Sequence, residues 1–165
     1  MDDKEMFQPV PMPREKLAEV LDKTRWASGF DWQEMLQLAG VMKAFTVVEG
    51  QSLWSEGDVE RYMCIIANGT VDVLKTDLKG NTGVITQLSV GQSLGEMSLL
   101  DKEPRSAQIV ASTDLKLLVL SLDGLNTLKA MSPLVAYKFL WKLAQLLSQR
   151  LRKTSGQLFD YLCLA

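Results

Sequence analysis

The sequence predicts an α+β protein: an antiparallel β-roll, similar to a jelly roll, with N-terminal helices and a long C-terminal helix. Two observations predict this fold. Between residues 45 and 122, short runs of β-branched and aliphatic residues are separated by glycines, and strands at roughly 8–12-residue spacing are typical of antiparallel sandwiches and rolls. On either side of this region the apolar residues follow a helical spacing. The 165 residues suffice for one domain with a substantial core.

The first part of the chain divides into a tail and a helical region. Three prolines stand close together at the end of residues 1–13, so we expect a flexible tail there. Residues 14–44 predict two or three short helices, with a break near residues 28–29. Asp31 is expected to cap the helix after the break, because Glu34 follows three residues later as in a capping box.

The central region, residues 45–122, predicts the strands of the roll. Six runs have the composition of strands, and several alternate apolar with polar side chains, which indicates one buried face. In chain order these runs are FTVV, YMCII, TVDVLK, GVITQL, AQIV and LKLLVL. One stretch within the region is predicted to be helical instead. It is GEMSLLDKEPRSA, residues 95–107, where a short apolar run lies between a glycine and a proline.

The last part, residues 123–162, predicts helices. A short one is expected over 123–130, and Ser132-Pro133 is expected to start a long one, since proline suits a first helical turn. An apolar seam with alternating spacings of four and three runs along the long helix, as in a coiled coil; its members are Leu140, Ala144, Leu147, Leu151, Thr154, Leu158 and Tyr161. The seam packs either on the strands or on its own copy in a homodimer. The length of the helix favours the homodimer, although Gly156 weakens its last turns.

Composition argues against several classes of function. The net charge is −2 and the isoelectric point is about 5.2, whereas nucleic-acid-binding proteins usually concentrate positive charge. The chain contains no histidine, so the commonest general base and the commonest metal ligand are both missing. We therefore expect no catalytic residues and no metal site.

The expected compartment is the cytoplasm. No apolar run approaches the roughly 18 residues that a membrane span needs, and the acidic, proline-rich N-terminus is unlike a secretory signal or a transit peptide. Cys64 lies in a strand-like run and Cys163 near the C-terminus. Two cysteines in such places predict neither a disulfide framework nor a structural zinc site.

The 95–107 segment offers groups suited to a small anionic ligand. Gly95 allows close approach of the backbone, and a short helix after it would present unpaired N–H groups to an anion. Arg105 can bind a phosphate through two N–H groups, and Ser106 adds a hydroxyl. Glu96 is an acceptor that suits a sugar hydroxyl. A phosphate joined to a ribose would satisfy all four; alternatively, Glu96 and Arg105 pair with each other or face solvent.

This segment resembles the phosphate-binding cassette of the cyclic-nucleotide-binding domain family, whose pattern is approximately Gly-Glu, a short apolar helix and Pro-Arg-Ser/Ala/Thr-Ala. The matching residues are Gly95, Glu96, Leu99, Leu100, Pro104, Arg105, Ser106 and Ala107. The resemblance continues in EGD at 56–58, YMCIIANGTVDVLK at 62–75, LSVGQSLGE at 88–96 and SP at 132–133. It implies a single cyclic-nucleotide-binding domain over residues 14–165.

The resemblance also implies roles for the candidate residues. Glu96 would bind the ribose 2′-hydroxyl and Arg105 the cyclic phosphate. The groups around the phosphate would come from Gly95, Met97, Ser98, Ser106 and Ala107. Ile85, Leu88 and Leu94 would form an apolar wall near the sugar and base, or else belong to the core. Because Ser106 stands where cGMP-selective domains often carry threonine, the implied ligand is cAMP, with cGMP possible.

The long helix carries a second resemblance. RLRKTSGQL at 150–158 resembles the segment of the catabolite activator family in which adjacent Thr and Ser contact adenine, the serine from across the dimer. Thr154 and Ser155 would then read the base, or else they are polar positions along the seam. Members of that family carry a helix-turn-helix domain after this helix, whereas this chain ends at Ala165, so direct DNA binding is not expected.

The favoured hypothesis is a cyclic-nucleotide receptor, not an enzyme, that forms a homodimer and signals to an unidentified protein partner by moving its C-terminal helix. The alternative is a degenerate domain that binds no nucleotide and serves as a dimerisation or docking module. An enzyme on a related roll, such as a cupin-like oxygenase, is disfavoured because such sites normally need several histidines for a metal.

Overall fold

The computed structural model describes residues 7–164 of the chain, and the predicted α+β fold is confirmed there. The helices are α1 (Arg14–Asp22), α2 (Trp32–Ala39), α3 (Glu96–Asp101), α4 (Leu122–Met131) and α5 (Pro133–Leu164). The strands are β1 (Gln8–Val10), β2 (Lys43–Val47), β3 (Ser52–Trp54), β4 (Tyr62–Asn68), β5 (Val71–Thr76), β6 (Thr82–Leu88), β7 (Ser93–Leu94), β8 (Gln108–Ala111) and β9 (Leu115–Ser121).

The strands form two antiparallel sheets. Their orders are β1-β2-β9-β4-β7 and β3-β8-β5-β6. Each of the six predicted runs overlaps a strand, from FTVV in β2 to LKLLVL in β9. The sequence missed β1, β3 and β7, which have two or three residues each. Such short strands offer too few positions for an alternating pattern to be recognised.

Two hydrophobic cores stabilise the domain, and β9 contributes to both. Leu115 and Leu117 belong to the sandwich core between the two sheets, whereas Leu118 and Leu120 belong to the helical core beneath the helices. The helices therefore cover the outer face of the five-stranded sheet. Burying one such leucine contributes about 1.5–3 kcal/mol. Leu99 of α3 also lies in the helical core, and α3 packs against β4.

The N-terminal region confirms one prediction and corrects another. The capping box of α2 is present: the Glu34 N–H donates to Oδ1 of Asp31 at 2.9 Å, and the Asp31 N–H donates to Oε2 of Glu34 at 3.0 Å. The flexible tail expected over residues 1–13 is wrong for residues 8–10, which form β1 and pair with β2. Residues 1–6 of that tail lie outside the described residues.

Helix α5 begins at Pro133, as the sequence predicts, and extends over 32 residues. Its deeply buried residues are all in its first third, where the Phe139 ring stacks on Trp26 with centroids 5.2 Å apart. Every residue from Leu151 to Leu164 is exposed. The interpretation in which the whole seam packs on the strands is therefore wrong for this half of the helix. Within residues 7–164, no helix is long and apolar enough to cross a membrane.

Candidate functional site

The 95–107 segment connects β7 to β8 and begins with a residue that must be glycine. Gly95 has a φ of +77°, a conformation that favours glycine. A Cβ atom at this position would overlap Nη1 of Arg105 and lie 3.0 Å from the Trp54 ring and from the carbonyl oxygen of Tyr62. Helix α3 follows directly, and Lys102 ends it with a φ of 67°. In the structure, the group that approaches the Gly95 backbone most closely is thus the guanidinium of Arg105.

Arg105 is held through its backbone and its side chain. Its N–H donates to the carbonyl oxygen of Asp58 at 2.7 Å, and its own carbonyl oxygen accepts from the Gly57 N–H at 2.8 Å. Nη1 of the guanidinium donates to the carbonyl oxygen of Gly95 at 3.0 Å. Arg105 is only 2% exposed. Both ends of the 95–107 segment are therefore fixed to each other and to the loop between β3 and β4.

The guanidinium of Arg105 lies against two rings, Trp54 and Tyr62, which we call the aromatic corner. Its Cζ atom is 3.9 Å from the Trp54 ring centroid and 4.6 Å from the Tyr62 ring centroid. Burial raises the pKa of the Tyr62 hydroxyl above its ordinary value, and it raises the pKa of the nearby Cys64 thiol to about 12. Both groups stay neutral at pH 7, so neither cancels the charge of Arg105. Nε and Nη2 of the guanidinium are buried and have no hydrogen-bond partner among residues 7–164.

Glu96 is 3% exposed and bonds to the long helix. Its Oε1 accepts a hydrogen bond from Nη1 of Arg150 in α5, and Nη2 of Arg150 donates to the carbonyl oxygen of Ser93 at 2.5 Å. Oε2 of Glu96 is buried and has no hydrogen-bond partner in the described part of the chain. The interpretation in which Glu96 and Arg105 pair with each other is therefore wrong. Each is anchored elsewhere, and each keeps polar atoms that a ligand could use.

Two cavities meet at this site. The smaller has a volume of about 190 Å³ and is bounded by the 95–107 segment, β5 and β6. The larger has a volume of about 520 Å³ and lies between β6 and the middle of α5. Thr86, Leu88 and Arg150 line both. Arg150 thus stands where the two cavities join.

The structure brings together almost all of the predicted site residues. Those that line the smaller cavity are Leu88, Leu94, Gly95, Glu96, Met97, Ser98, Arg105, Ser106 and Ala107. Ile85, Leu88 and Thr154 line the larger cavity. Ser155 lines neither and is exposed on α5. Their roles toward a ligand remain predictions.

Sequence reasoning missed two residues that complete the site. Arg150 lies one helical turn before Thr154 on α5, so the i,i+4 spacing could have indicated that both face the same cavity. Trp54 lies in β3, a strand that the sequence did not predict, and lines the smaller cavity beside Arg105. Neither the size of Trp54 nor its position before the EGD motif at 56–58 indicated a binding site.

Comparison with known proteins decides the family. The family model described as the cyclic nucleotide-binding domain matches residues 45–131, which is more than half of the chain. The chain belongs to the cyclic nucleotide-binding domain family. The match includes all of the 95–107 segment and the strands that surround it.

Relatives of this cyclic nucleotide-binding domain are regulatory proteins. The chain is 36% identical over 110 residues to the cyclic AMP receptor protein of Thermus thermophilus, covering 67% of this chain and 49% of that protein. It is 33% identical over 95 residues to the cAMP-dependent protein kinase regulatory subunit of Aspergillus niger, covering 58% of this chain and 22% of that protein. The chain thus spans half or less of the length of these relatives.

A solved structure extends the similarity to most of the chain. A cyclic nucleotide-binding domain from Methylobacillus flagellatus superposes with a TM-score of 0.82 at 30% identity, covering 92% of this chain and 87% of that one. The similarity to that domain therefore extends beyond residues 45–131.

Proposed function

We propose that this domain is a receptor for a cyclic nucleotide, with cAMP as its preferred ligand, and that residues 95–107 are its phosphate-binding cassette. One observation carries the proposal. Nε and Nη2 of Arg105 and Oε2 of Glu96 are buried, have no hydrogen-bond partner among the residues that the structure describes, and belong to residues that line one small cavity. Since buried polar atoms are nearly always hydrogen-bonded, these two donors and one acceptor suit a ligand that offers an anion beside a hydroxyl.

A cyclic nucleotide matches this set of atoms. Its cyclic phosphate would accept from the free N–H groups of Arg105, and its ribose 2′-hydroxyl would donate to Oε2 of Glu96. Ser98 and Ser106 would add donors around the phosphate. The smaller cavity would hold the phosphate and sugar, and the larger cavity, lined by Ile85 and others, would hold the base.

The choice of cAMP rests on two supports. Ser106 stands in place of the threonine that is frequent in cGMP-selective domains, and the relatives in Thermus thermophilus and Aspergillus niger are named for cAMP. Thr154 lines the larger cavity, and there it would contact the base. Ser155 would contact a base only from a second copy of the chain.

The signal would leave the site through α5. Arg150 joins Glu96 and Ser93 to this helix, so a ligand that binds Glu96 also acts on the arginine that anchors α5. Ligand binding would shift the equilibrium between two positions of α5. The free energy of this shift is limited to the difference between the ligand's binding free energies for the two positions. The net charge of −2 favours a protein partner over DNA, and the two free cysteines fit a reducing compartment such as the cytoplasm.

Calorimetric titration tests the proposed ligand. We expect cAMP to bind more tightly than cGMP, and 2′-deoxy-cAMP to bind about tenfold or more weakly than cAMP, because losing the hydroxyl leaves Oε2 of Glu96 unsatisfied at a cost of about 1–3 kcal/mol. Linear 5′-AMP serves as the control for the cyclic phosphate. Absence of heat and of thermal stabilisation with both cyclic nucleotides would contradict the proposal.

The same titration distinguishes the receptor from the alternative function. A degenerate domain that only dimerises or docks would bind no cyclic nucleotide and would still self-associate. Such a domain has no use for a buried arginine with two nitrogen atoms that find no partner among the described residues, because an unpaired buried charge costs stability. The described site therefore favours the receptor.

We also propose that two copies of the domain pair through α5. The second half of this helix carries exposed apolar residues, including Leu151, Leu158, Phe159, Tyr161 and Leu162. A helix segment with this surface and no intramolecular packing is only marginally stable in water. Pairing with its own copy along the predicted seam would cover Leu151, Leu158 and Tyr161.

Replacing Leu151 by aspartate is expected to convert the dimer to a monomer, because a charge in the centre of a helical seam would have to be buried without a partner. Light scattering coupled to size-exclusion chromatography measures the mass directly. Gln145→Asp is the matched control, since it adds the same charge to an exposed position of α5 on the side of the helix away from the seam. A wild-type chain that is monomeric at high micromolar concentration would rule out the dimer.

A further inference from the structure

We propose that the aromatic corner, Trp54 and Tyr62, positions the guanidinium of Arg105 and thereby sets the affinity of the site for the anionic part of its ligand. This inference rests on the proposed function, since it assigns positioning residues to the arginine that would bind the phosphate. The observation that carries it is the contact of Cζ of Arg105 with both rings, at 3.9 Å and 4.6 Å from their centroids.

A buried guanidinium needs a counter-charge or another source of stabilisation. Within the described residues, Arg105 takes part in no salt bridge. Glu96, the buried carboxylate that shares its cavity, is engaged by Arg150 instead. The faces of the two rings, together with the carbonyl oxygen of Gly95, thus stabilise the positive charge, and such cation–π contacts are strongest when they are shielded from water.

The use of rings in place of a carboxylate has a chemical consequence. A carboxylate would accept the N–H groups of the guanidinium and cancel its charge, and a phosphate would have to displace it. Ring faces stabilise the charge without taking up those donors in strong hydrogen bonds. Nε and Nη2 of Arg105 accordingly remain unpartnered although they are buried.

The orientation of the guanidinium is also fixed. Nη1 is tied to the carbonyl oxygen of Gly95 at 3.0 Å, and the rings of Trp54 and Tyr62 meet edge to face with centroids 5.6 Å apart, so they cover the guanidinium from two directions. The ligand would meet an arginine that is already ordered. Ordering a long side chain on binding lowers affinity, and the aromatic corner removes that loss.

Two measurements on Trp54 variants test the proposal. One is titration with cAMP, and the other is the NMR signal of the Arg105 Nε–H. We expect Trp54→Leu to weaken cAMP binding about tenfold, the upper range for ordering one long side chain, and Trp54→Phe, which keeps a ring face, to bind within about threefold of wild type. The Arg105 Nε–H signal, identified by its loss in Arg105→Lys, should be displaced by ring currents in wild type and should move toward ordinary arginine shifts in Trp54→Leu.

Leu53→Ala is the matched control, because Leu53 lies in the same strand and the same core but does not line the cavity. If Trp54→Leu does not fold, Tyr62→Leu replaces it, with a smaller loss of affinity expected from the longer contact. Equal cAMP affinity in wild type and Trp54→Leu would overturn the proposal, as would an equal loss in Leu53→Ala. If wild type binds no cyclic nucleotide while the resonance still moves in Trp54→Leu, the proposed function fails and the positioning of Arg105 by the rings stands.

Discussion

Replacing Arg105 by alanine is expected to weaken cAMP binding at least about a hundredfold and to leave the fold intact. Each charge-assisted hydrogen bond contributes about 1.5–3 kcal/mol, and two buried nitrogen atoms of the guanidinium, Nε and Nη2, have no partner among the described residues and are free to donate them. The fold should survive, because the substitution also removes a buried charge that costs free energy to desolvate. Calorimetry gives the affinity, and circular dichroism and thermal unfolding verify the fold.

Two further variants make the Arg105 result specific. Arg105→Lys keeps the charge but loses the planar pair of donors, so its affinity should lie between those of wild type and Arg105→Ala. Arg152→Ala removes an exposed arginine of α5 that lines neither nucleotide cavity, and it should bind as wild type does. Normal cAMP binding by Arg105→Ala would show that the phosphate role is wrongly assigned.

Replacing Gly95 by alanine is expected to reduce cAMP affinity by about two orders of magnitude and to lower the free energy of unfolding. The strained backbone alone costs about 1–2 kcal/mol. The added methyl group would also overlap Nη1 of Arg105, so the guanidinium must leave the position that its N–H groups need. Displacing a binding group by about 1 Å is enough for an effect of this size. Urea unfolding and calorimetry measure the two effects separately.

Gly80→Ala is the matched control for the Gly95 substitution. Gly80 has a φ of +86°, and a Cβ atom there would meet nothing within 4 Å. Both substitutions therefore introduce the same kind of backbone strain, but only the one at Gly95 disturbs a neighbour. We expect Gly80→Ala to lower stability by a similar strain energy and to leave cAMP affinity unchanged. A parallel loss of affinity in both variants would mean that strain, and not the position of Arg105, weakens binding.

Periodicity and turn residues predicted most of the fold from the sequence. Six strands were recognisable because each alternates or concentrates β-branched residues over several positions. The start of α5 followed from Pro133, and the cap of α2 followed from Asp31 and Glu34, because these signals are local. Strand β1 was missed for a non-local reason. Its pairing with β2 joins residues far apart in the chain, and the prolines around it suggested a tail.

The candidate site was predictable where it is continuous in sequence. The 95–107 segment carries its glycine, its carboxylate and its arginine within one stretch, so their types and spacing indicated the ligand chemistry. Arg150 is 54 positions from Glu96, and no spacing rule predicts such a contact. Trp54 was missed because a tryptophan in a β-rich region looks like ordinary core. The alternative in which Glu96 pairs with Arg105 is wrong because Arg150 of α5 binds Glu96 instead, and only the fold shows this.

The exposed half of α5 has a thermodynamic consequence. Thr154 contributes to the wall of the larger cavity, yet it lies in the part of the helix, from Leu151 onward, where every described residue is exposed. If this part is ordered only when two copies pair, then the base compartment is completed by association. By mass action, ligand binding and self-association must then reinforce each other to the same extent. The sensitivity of such a receptor would be set by its own abundance in the cell as well as by the concentration of its ligand.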